Sequence, residues 1–431
     1  MQSSLALLNK RRFLPLFVTQ FLNAFNDNFF KMAMVILVTY AIYSDPKVEA
    51  NFNALAGAIF ILPFFLFSAL AGQLADSVNK INVIRTIKTA EIGIMIVGAA
   101  GMMLENVPMM LLALFAMGVH STFFGPIKYG ILPQHLEENE VLGGTGLVEA
   151  GTYMAILGGT IAGGIIPHEW SAIGVIACAI IGRVSAQYVP SAPAEENGKS
   201  VKLEWNIFKG SYRLLKETLR RRRLRLAIIC ISFFWAIGAV LASQFPPMVK
   251  NALGGDNTVA TLFTAIFSVG VAIGSVAVNR LLKGEVSARY SPASVIAMGL
   301  FVLLLWWNVR VWPHDTSTLM DYKAFLSLAQ GDFILGSLLG IAIAGGMFVV
   351  PLYAFLTTTV AKSETSRTIA ANNIVNSGAM VAGALFYALL VHWGVSIADT
   401  LFMIAAACIV SAWLAYLLHK ASDAIEPVAS R

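Results

Sequence analysis

Apolar runs of about 18 to 25 residues, each long enough to cross about 30 Å of hydrocarbon, recur along the whole chain with only short polar breaks. They fall near 13–40, 53–74, 83–104, 108–127, 142–166, 171–190, 226–249, 257–280, 293–312, 332–360, 369–391 and 399–419. This pattern predicts an all-α integral membrane protein of about twelve helices, because only a helix satisfies its own backbone groups inside lipid. The composition leaves no room for a sizeable soluble domain. It is 57% hydrophobic and 13% charged over 431 residues, against about 25% charged in soluble domains.

The first run follows Lys10, Arg11 and Arg12 and is read as a retained helix rather than a signal peptide, since it is too long and has no small-residue cleavage pattern after it. Most of the 30 Lys and Arg residues fall on alternate loops, while Lys47, Lys250, Arg310 and Lys323 fall on the opposite set. By the positive-inside rule both termini are expected in the cytoplasm, in a multi-pass protein. The net charge of +6 is therefore topology signal, and no nucleic-acid-binding motif accompanies it. Cys178, Cys230 and Cys408 lie far apart in apolar runs, so neither disulfides nor a metal cluster is expected, and no cofactor.

Residues 191–225 divide the chain into halves at 1–190 and 226–431. After a polar stretch from Ser191 to Ser200, Phe208, Tyr212, Leu215 and Leu219 recur at helical spacing while Lys209, Arg213, Lys216 and Arg220 take another face. This is the pattern of an amphipathic basic helix lying on an anionic leaflet, or of a tether that only obeys the charge rule. The halves also repeat each other weakly: Leu147-Val148-Glu149-Ala150-Gly151 corresponds to Ile374-Val375-Asn376-Ser377-Gly378, six runs later.

Two six-helix repeats joined by a cytoplasmic linker resemble the major facilitator fold. The segment Gly72-Gln-Leu-Ala-Asp76-Ser-Val-Asn-Lys80, with Arg85, resembles that superfamily's loop signature, although Ser77 and Asn79 replace its usual Arg and Gly. Gly72, Asp76, Lys80 and Arg85 are the candidate conformational latch, with Asp76 expected to pair with helix ends or basic residues.

Charge inside the runs concentrates in the first half, and the last six runs have almost none between their ends. A buried charge costs roughly 2.5–3.5 kcal/mol on insertion scales, so such residues usually face a protein interior or a wet path. Gln20, Asn23, Asp27 and Lys31 share one helical face, with Thr19 and Asn26 beside it and Asn28 roughly 100° away. Asp27 and Lys31 read either as a pair buried for packing or as the wall of a polar cavity, and the surrounding amides favour the cavity. Glu149 shares a stripe with Thr145, Thr152, Tyr153 and Thr160, and Gly159-x-x-x-Gly163 permits close helix approach. Lys88 and Glu91, three apart, are read as neutralising each other, and His120 as an interior histidine. One polar half and one apolar half suit an amphiphile, whose head meets Asp27, Lys31, Lys128 and Glu149 and whose tail lies along apolar helices. Thr261, Thr264 and Ser268 offer only small hydroxyls in the second half.

Ala24-Phe-Asn-Asp27-Asn28, Gly125-Pro-Ile-Lys128-Tyr129-Gly130-Ile-Leu-Pro133 and Gly146-Leu-Val-Glu149-Ala150 resemble hallmarks of the bacterial lysophospholipid transporter family, including the transporter domain of acyl-carrier-protein-dependent acyltransferase fusions. The resemblance implies inward movement of lysophospholipids such as lysophosphatidylethanolamine across the inner membrane, by alternating access, for reacylation. It also matches Asp27, Lys128 and Glu149 to the family's polar pocket. Asn23, Asp27, Asn28, Lys31, His120, Lys128, Glu149 and Tyr153 are accordingly the candidate head-group residues. The chain closes soon after the last run, so a separate cytoplasmic acyltransferase is the expected partner and a monomer the expected state, embedded in membrane lipids. The competing class is a proton-coupled exporter of drugs or small solutes on the same fold. Enzymes are disfavoured: His135 and Glu140 do not form an acyltransferase His-x4-Asp pair, and Gly198-Lys-Ser lacks the upstream glycine of a phosphate-binding loop.

Overall fold

The computed structural model describes residues 4–43, 46–199, 203–312 and 319–423. Ser200, which closes the predicted polar stretch, lies outside them. Twelve long helices are present among the described residues: α1 (Leu14–Leu37), α2 (Pro46–Ser77), α3 (Lys80–Met103), α4 (Val107–Gly130), α5 (Glu138–Ile165), α6 (His168–Gln187), α7 (Arg222–Leu253), α8 (Asn257–Leu281), α9 (Ser291–Arg310), α10 (Ala329–Thr358), α11 (Thr365–His392) and α12 (Ile397–Asp423). Ten are long and apolar enough to cross a membrane. The other two, α1 and α3, carry Asp27, Lys31, Lys88 and Glu91, yet each has 24 residues, about 36 Å at 1.5 Å per residue.

Local chemistry sets several of the ends. Pro15, Pro108 and Pro292 stand in the first turns of α1, α4 and α9, where the missing N–H is not needed. Asn79, Asn106 and Asp256 cap α3, α4 and α8 by accepting from Ile81, Met109 and Thr258 backbone N–H groups. Gly254, at φ 65° in the left-handed region, ends α7.

The helices group into two compact units, Met1–Thr218 with Leu356–Ile374, and Leu219–Phe355 with Val375–Arg431. In the first, α1 packs against α5 and α6, α2 against α4, and α3 against α4 and α6. The α1–α5 approach is set by glycine: a Cβ at Gly159 would lie 2.3 Å from the Phe25 carbonyl oxygen, and one at Gly163 2.6 Å from that of Phe29. Around this contact Phe29, Phe30, Met34, Met95 and Met117 form a buried apolar core. In the second unit α12 packs against α9 and α7, and Phe245, Phe263, Phe325 and Trp312 form a chain of ring contacts.

The segment after α6 contains the predicted linker helix, Ile207–Arg220. Leu214 is buried, whereas Phe208 and Tyr212 are exposed together with Trp205 and with Lys209, Arg213 and Lys216. Aromatic rings and cations thus lie open on one short helix, the composition of a membrane-surface segment.

Candidate functional site

Within the first unit, α1 carries its amides into the bundle. Asp27 is 7% exposed. Its Oδ2 accepts from Ser121 Oγ at 2.5 Å and from Asn23 Nδ2 at 3.2 Å, and its Oδ1 has no hydrogen-bond partner. Asn23 also donates to Ser121 and accepts from Lys88 Nζ at 3.4 Å. Lys88 forms an ion pair with Glu91, both fully buried. Glu91 Oε1 accepts from Asn26 Nδ2 at 2.9 Å, and its Oε2 lies 3.5 Å from His120 Nε2. One continuous seam, Asp27–Asn23–Lys88–Glu91–His120, therefore links α1, α3 and α4. It exists because residues 23, 26 and 27 share a helical face and because ions buried in lipid need partners.

A second polar group lies where α4 and α5 meet. Tyr129 Oη donates to Glu149, which is buried, and one turn on Thr152 Oγ1 donates to Gln20 Oε1 at 3.0 Å. Lys128 sits 4.8 Å from the Tyr129 ring centroid and within electrostatic reach of Glu149. The sequence repeat has a structural counterpart. In the second unit, Asn376, which corresponds to Glu149, donates to Tyr353 Oη at 3.4 Å and accepts from Ser232 at 2.7 Å. The tyrosine partner is retained and the charge is absent.

Asp76, fully buried at the end of α2, receives Ser366 and Arg367 backbone N–H groups, each at 3.0 Å, and Arg367 Nε at 3.2 Å. A carboxylate at the start of α11 complements that helix's positive end. Gly72 makes the approach possible, since a Cβ there would lie 2.5 Å from Ala370 Cβ and 2.9 Å from Arg367 Cα.

The structure thus brings together Asn23, Asp27 and His120 in one seam, and Lys128 and Glu149 beside it. Tyr153 is buried on α5, one turn beyond Glu149. Asn28 lies apart, donating to the Ala24 carbonyl of its own helix at 2.8 Å. Lys31 stays within electrostatic reach of Asp27, with its ammonium 5.8 Å from the centroid of the Phe60 ring. No ion pair joins Lys31 to Asp27 among the described residues. In the latch set, Lys80 N–H donates to the Ala192 carbonyl after α6 and Arg85 donates to the Gln187 carbonyl at the end of α6, while Asp76 takes Arg367. Thr261 and Thr264 hydroxyls donate to carbonyls of α8 itself. Sequence reasoning missed Ser121, a common residue without a charge signal. It placed Asn26 beside the polar stripe and Tyr129 inside a quoted motif next to Lys128, but counted neither among the candidate head-group residues.

Twelve long helices, ten of them apolar enough to cross a membrane, with buried ionised groups gathered inside one unit, are the design of a membrane carrier. The chain belongs to the Major Facilitator Superfamily, whose family model matches residues 16–328. Among curated proteins it is 29% identical over 391 residues, 88% of this chain and 89% of the relative, to the "Lysophospholipid transporter LplT" of Escherichia coli O1:K1 / APEC. The protein of that name from Shigella boydii serotype 4 (strain Sb227) matches at the same identity and coverage. Among solved structures, the human organic anion transporter MFSD10 (TETRAN) superposes with a TM-score of 0.75 at 13% identity, covering 94% of this chain and 99% of its own. A bacterial homologue of the iron transporter ferroportin superposes with a TM-score of 0.68 at 14% identity, covering 95% and 98%. These structural likenesses establish the shared fold.

Proposed function

We propose that this protein carries lysophospholipids across the bacterial inner membrane, exposing its polar seam alternately to the two membrane faces and delivering lysophosphatidylethanolamine-type lipids inward for reacylation. The observation that carries the reading is the presence of buried Asp27 and Glu149 with half-buried Lys128 in otherwise apolar helices. Two carboxylates and a cation suit a zwitterionic head, in which an ammonium and a phosphate must both leave water. The name of the curated relatives supports the same substrate class. Asn23, Ser121 and Tyr129 orient the carboxylates, Tyr153 and His120 flank them, and Asp76 holds the start of α11 to the first unit as a conformational latch. Both termini lie in the cytoplasm on this reading, the carrier acts as a monomer, and a separate cytoplasmic acyltransferase uses the delivered lipid.

The test is transfer of labelled lysophosphatidylethanolamine in proteoliposomes by wild type, Asp27→Ala and Glu149→Ala, with a soluble dye and an imposed proton gradient as parallel arms. Lysolipid transfer by wild type and its loss in both folded variants is expected. Wild-type rates in both variants refute the site. Gradient-driven dye export without lysolipid transfer establishes the exporter instead.

A further inference from the structure

In the second unit, α7, α11 and α12 enclose a cleft of about 350 Å³, within the size range of small-ligand sites. Its walls are apolar, with Phe233, Val240, Phe386, Met403 and Ile404 among them, and Phe386 and Met403 leave it open along the side of the bundle. Four polar residues interrupt these walls, Ser232, Tyr387, Thr400 and Gln244, and the last is the one that stands out. Gln244 lines the cleft, is 0% exposed, and neither its Nε2 nor its Oε1 has a hydrogen-bond partner. Ser232, about three turns away at the other end of the cleft, is already committed to Asn376 and the Ile228 carbonyl. An unpaired amide in a dry site is destabilising, so a buried Gln with both ends open marks a place where a ligand completes the bonding.

We propose that this cleft binds the glycerol end and upper acyl chain of a monoacyl glycerolipid. The Gln244 amide donates through Nε2 to the ester carbonyl and accepts through Oε1 from the adjacent free hydroxyl, while Phe233, Val240 and Met403 cover the chain. A diacyl lipid has an ester where the hydroxyl stands and leaves Oε1 unpaired, so the amide selects for the lyso form. The cleft runs along the middle of α7, from Ser232 to Gln244, with Gln244 on its Leu253 side, and a lipid reaches it through the open side. The inference rests on the lysophospholipid reading above for its ligand class, while the residues that hold the ligand are distinct from the charged seam.

The experiment uses the full chain in nanodiscs with 1-acyl lysophosphatidylethanolamine bearing a diazirine on its acyl chain, beside the analogue lacking the 2-hydroxyl. Peptide mapping of wild type should place the label on α7 and α12 around Phe233 and Met403, with about fivefold or greater preference for the hydroxyl probe, the scale of one satisfied against one orphaned buried acceptor. Gln244→Leu should erase that preference and raise the thermal midpoint, because it removes the orphan amide. Ala379→Trp should block labelling by filling the cleft. Labelling that ignores Gln244→Leu and Ala379→Trp alike, or spreads evenly over lipid-facing helices, overturns the inference. Transfer measured in parallel separates the two readings: transfer without cleft labelling rejects the cleft alone, and cleft labelling without transfer rejects the carrier reading alone.

Discussion

Lys88 and Glu91 form an ion pair sealed on all sides, which makes their removal one at a time very different from their removal together. Glu91→Leu leaves an ammonium in a site without water and strips the partner from Asn26. Lys88→Leu leaves a carboxylate whose remaining partners are the Asn26 amide at 2.9 Å and the His120 ring. Breaking a buried pair by deleting one member costs about 3–5 kcal/mol, whereas replacing both by apolar side chains is about neutral or stabilising. The interhelical bond from Asn26 is a minor part, since such bonds within membranes average about 0.6 kcal/mol. The pair should therefore show a coupling energy of about 3 kcal/mol or more, and Asn26→Ala should lose less than about 1 kcal/mol. Equilibrium unfolding in detergent micelles of the two single variants, the double variant and Asn26→Ala, followed by far-ultraviolet circular dichroism, supplies the cycle. Single variants within about 1 kcal/mol of wild type, or an additive double variant, would refute the argument that this pair is held for charge balance. The double variant has a second use. If Asn23 is oriented toward Asp27 by its bond from Lys88, the double variant should fold well yet transfer lysolipid poorly.

Three further outcomes follow from the geometry. Gly72→Val drives a branched side chain into Ala370 and the Arg367 backbone and should destabilise by about 1–3 kcal/mol, while Asp76→Ala removes three bonds from the α11 start and should lower the thermal midpoint in the same direction, an unchanged midpoint in both arguing against the latch. Tyr129→Phe removes the hydroxyl that holds Glu149 and should slow lysolipid transfer with little loss of stability, so a wild-type rate would detach Tyr129 from the site. Lys209→Gln with Lys216→Gln on the exposed linker face should weaken association with anionic lipid by about 1 kcal/mol per charge removed, read as reduced quenching of Trp205 by brominated anionic lipid against a Trp205→Phe control. Arg213 is held above its ordinary range by its hydrogen bond to Glu217, and a raised pKa keeps a cation charged, so this association should not change across neutral pH.

Apolar run length and the sparse placement of charge were enough to define this protein as an all-α membrane bundle, because a helix buried in lipid must be apolar for the thickness of the bilayer whatever its neighbours are. The same information singled out Asp27 and Glu149, since an ionised group at such depth is costly wherever it sits. The glycines at 159 and 163 were readable for a related reason, as a missing Cβ is a property of the residue itself. Which groups meet was decided only by packing. Lys31 lies four positions after Asp27, a spacing that brings them to one face and within electrostatic reach, yet the ammonium sits over the Phe60 ring and forms no ion pair with Asp27 among the described residues. Glu91 and Asn26 are 65 positions apart, and Ser366 and Asp76 are 290 apart, so no local pattern announces either contact. Gln244 shows the limit most plainly: in the sequence it is one amide near a helix end, and only the walls of α11 and α12 leave both its polar atoms without a partner.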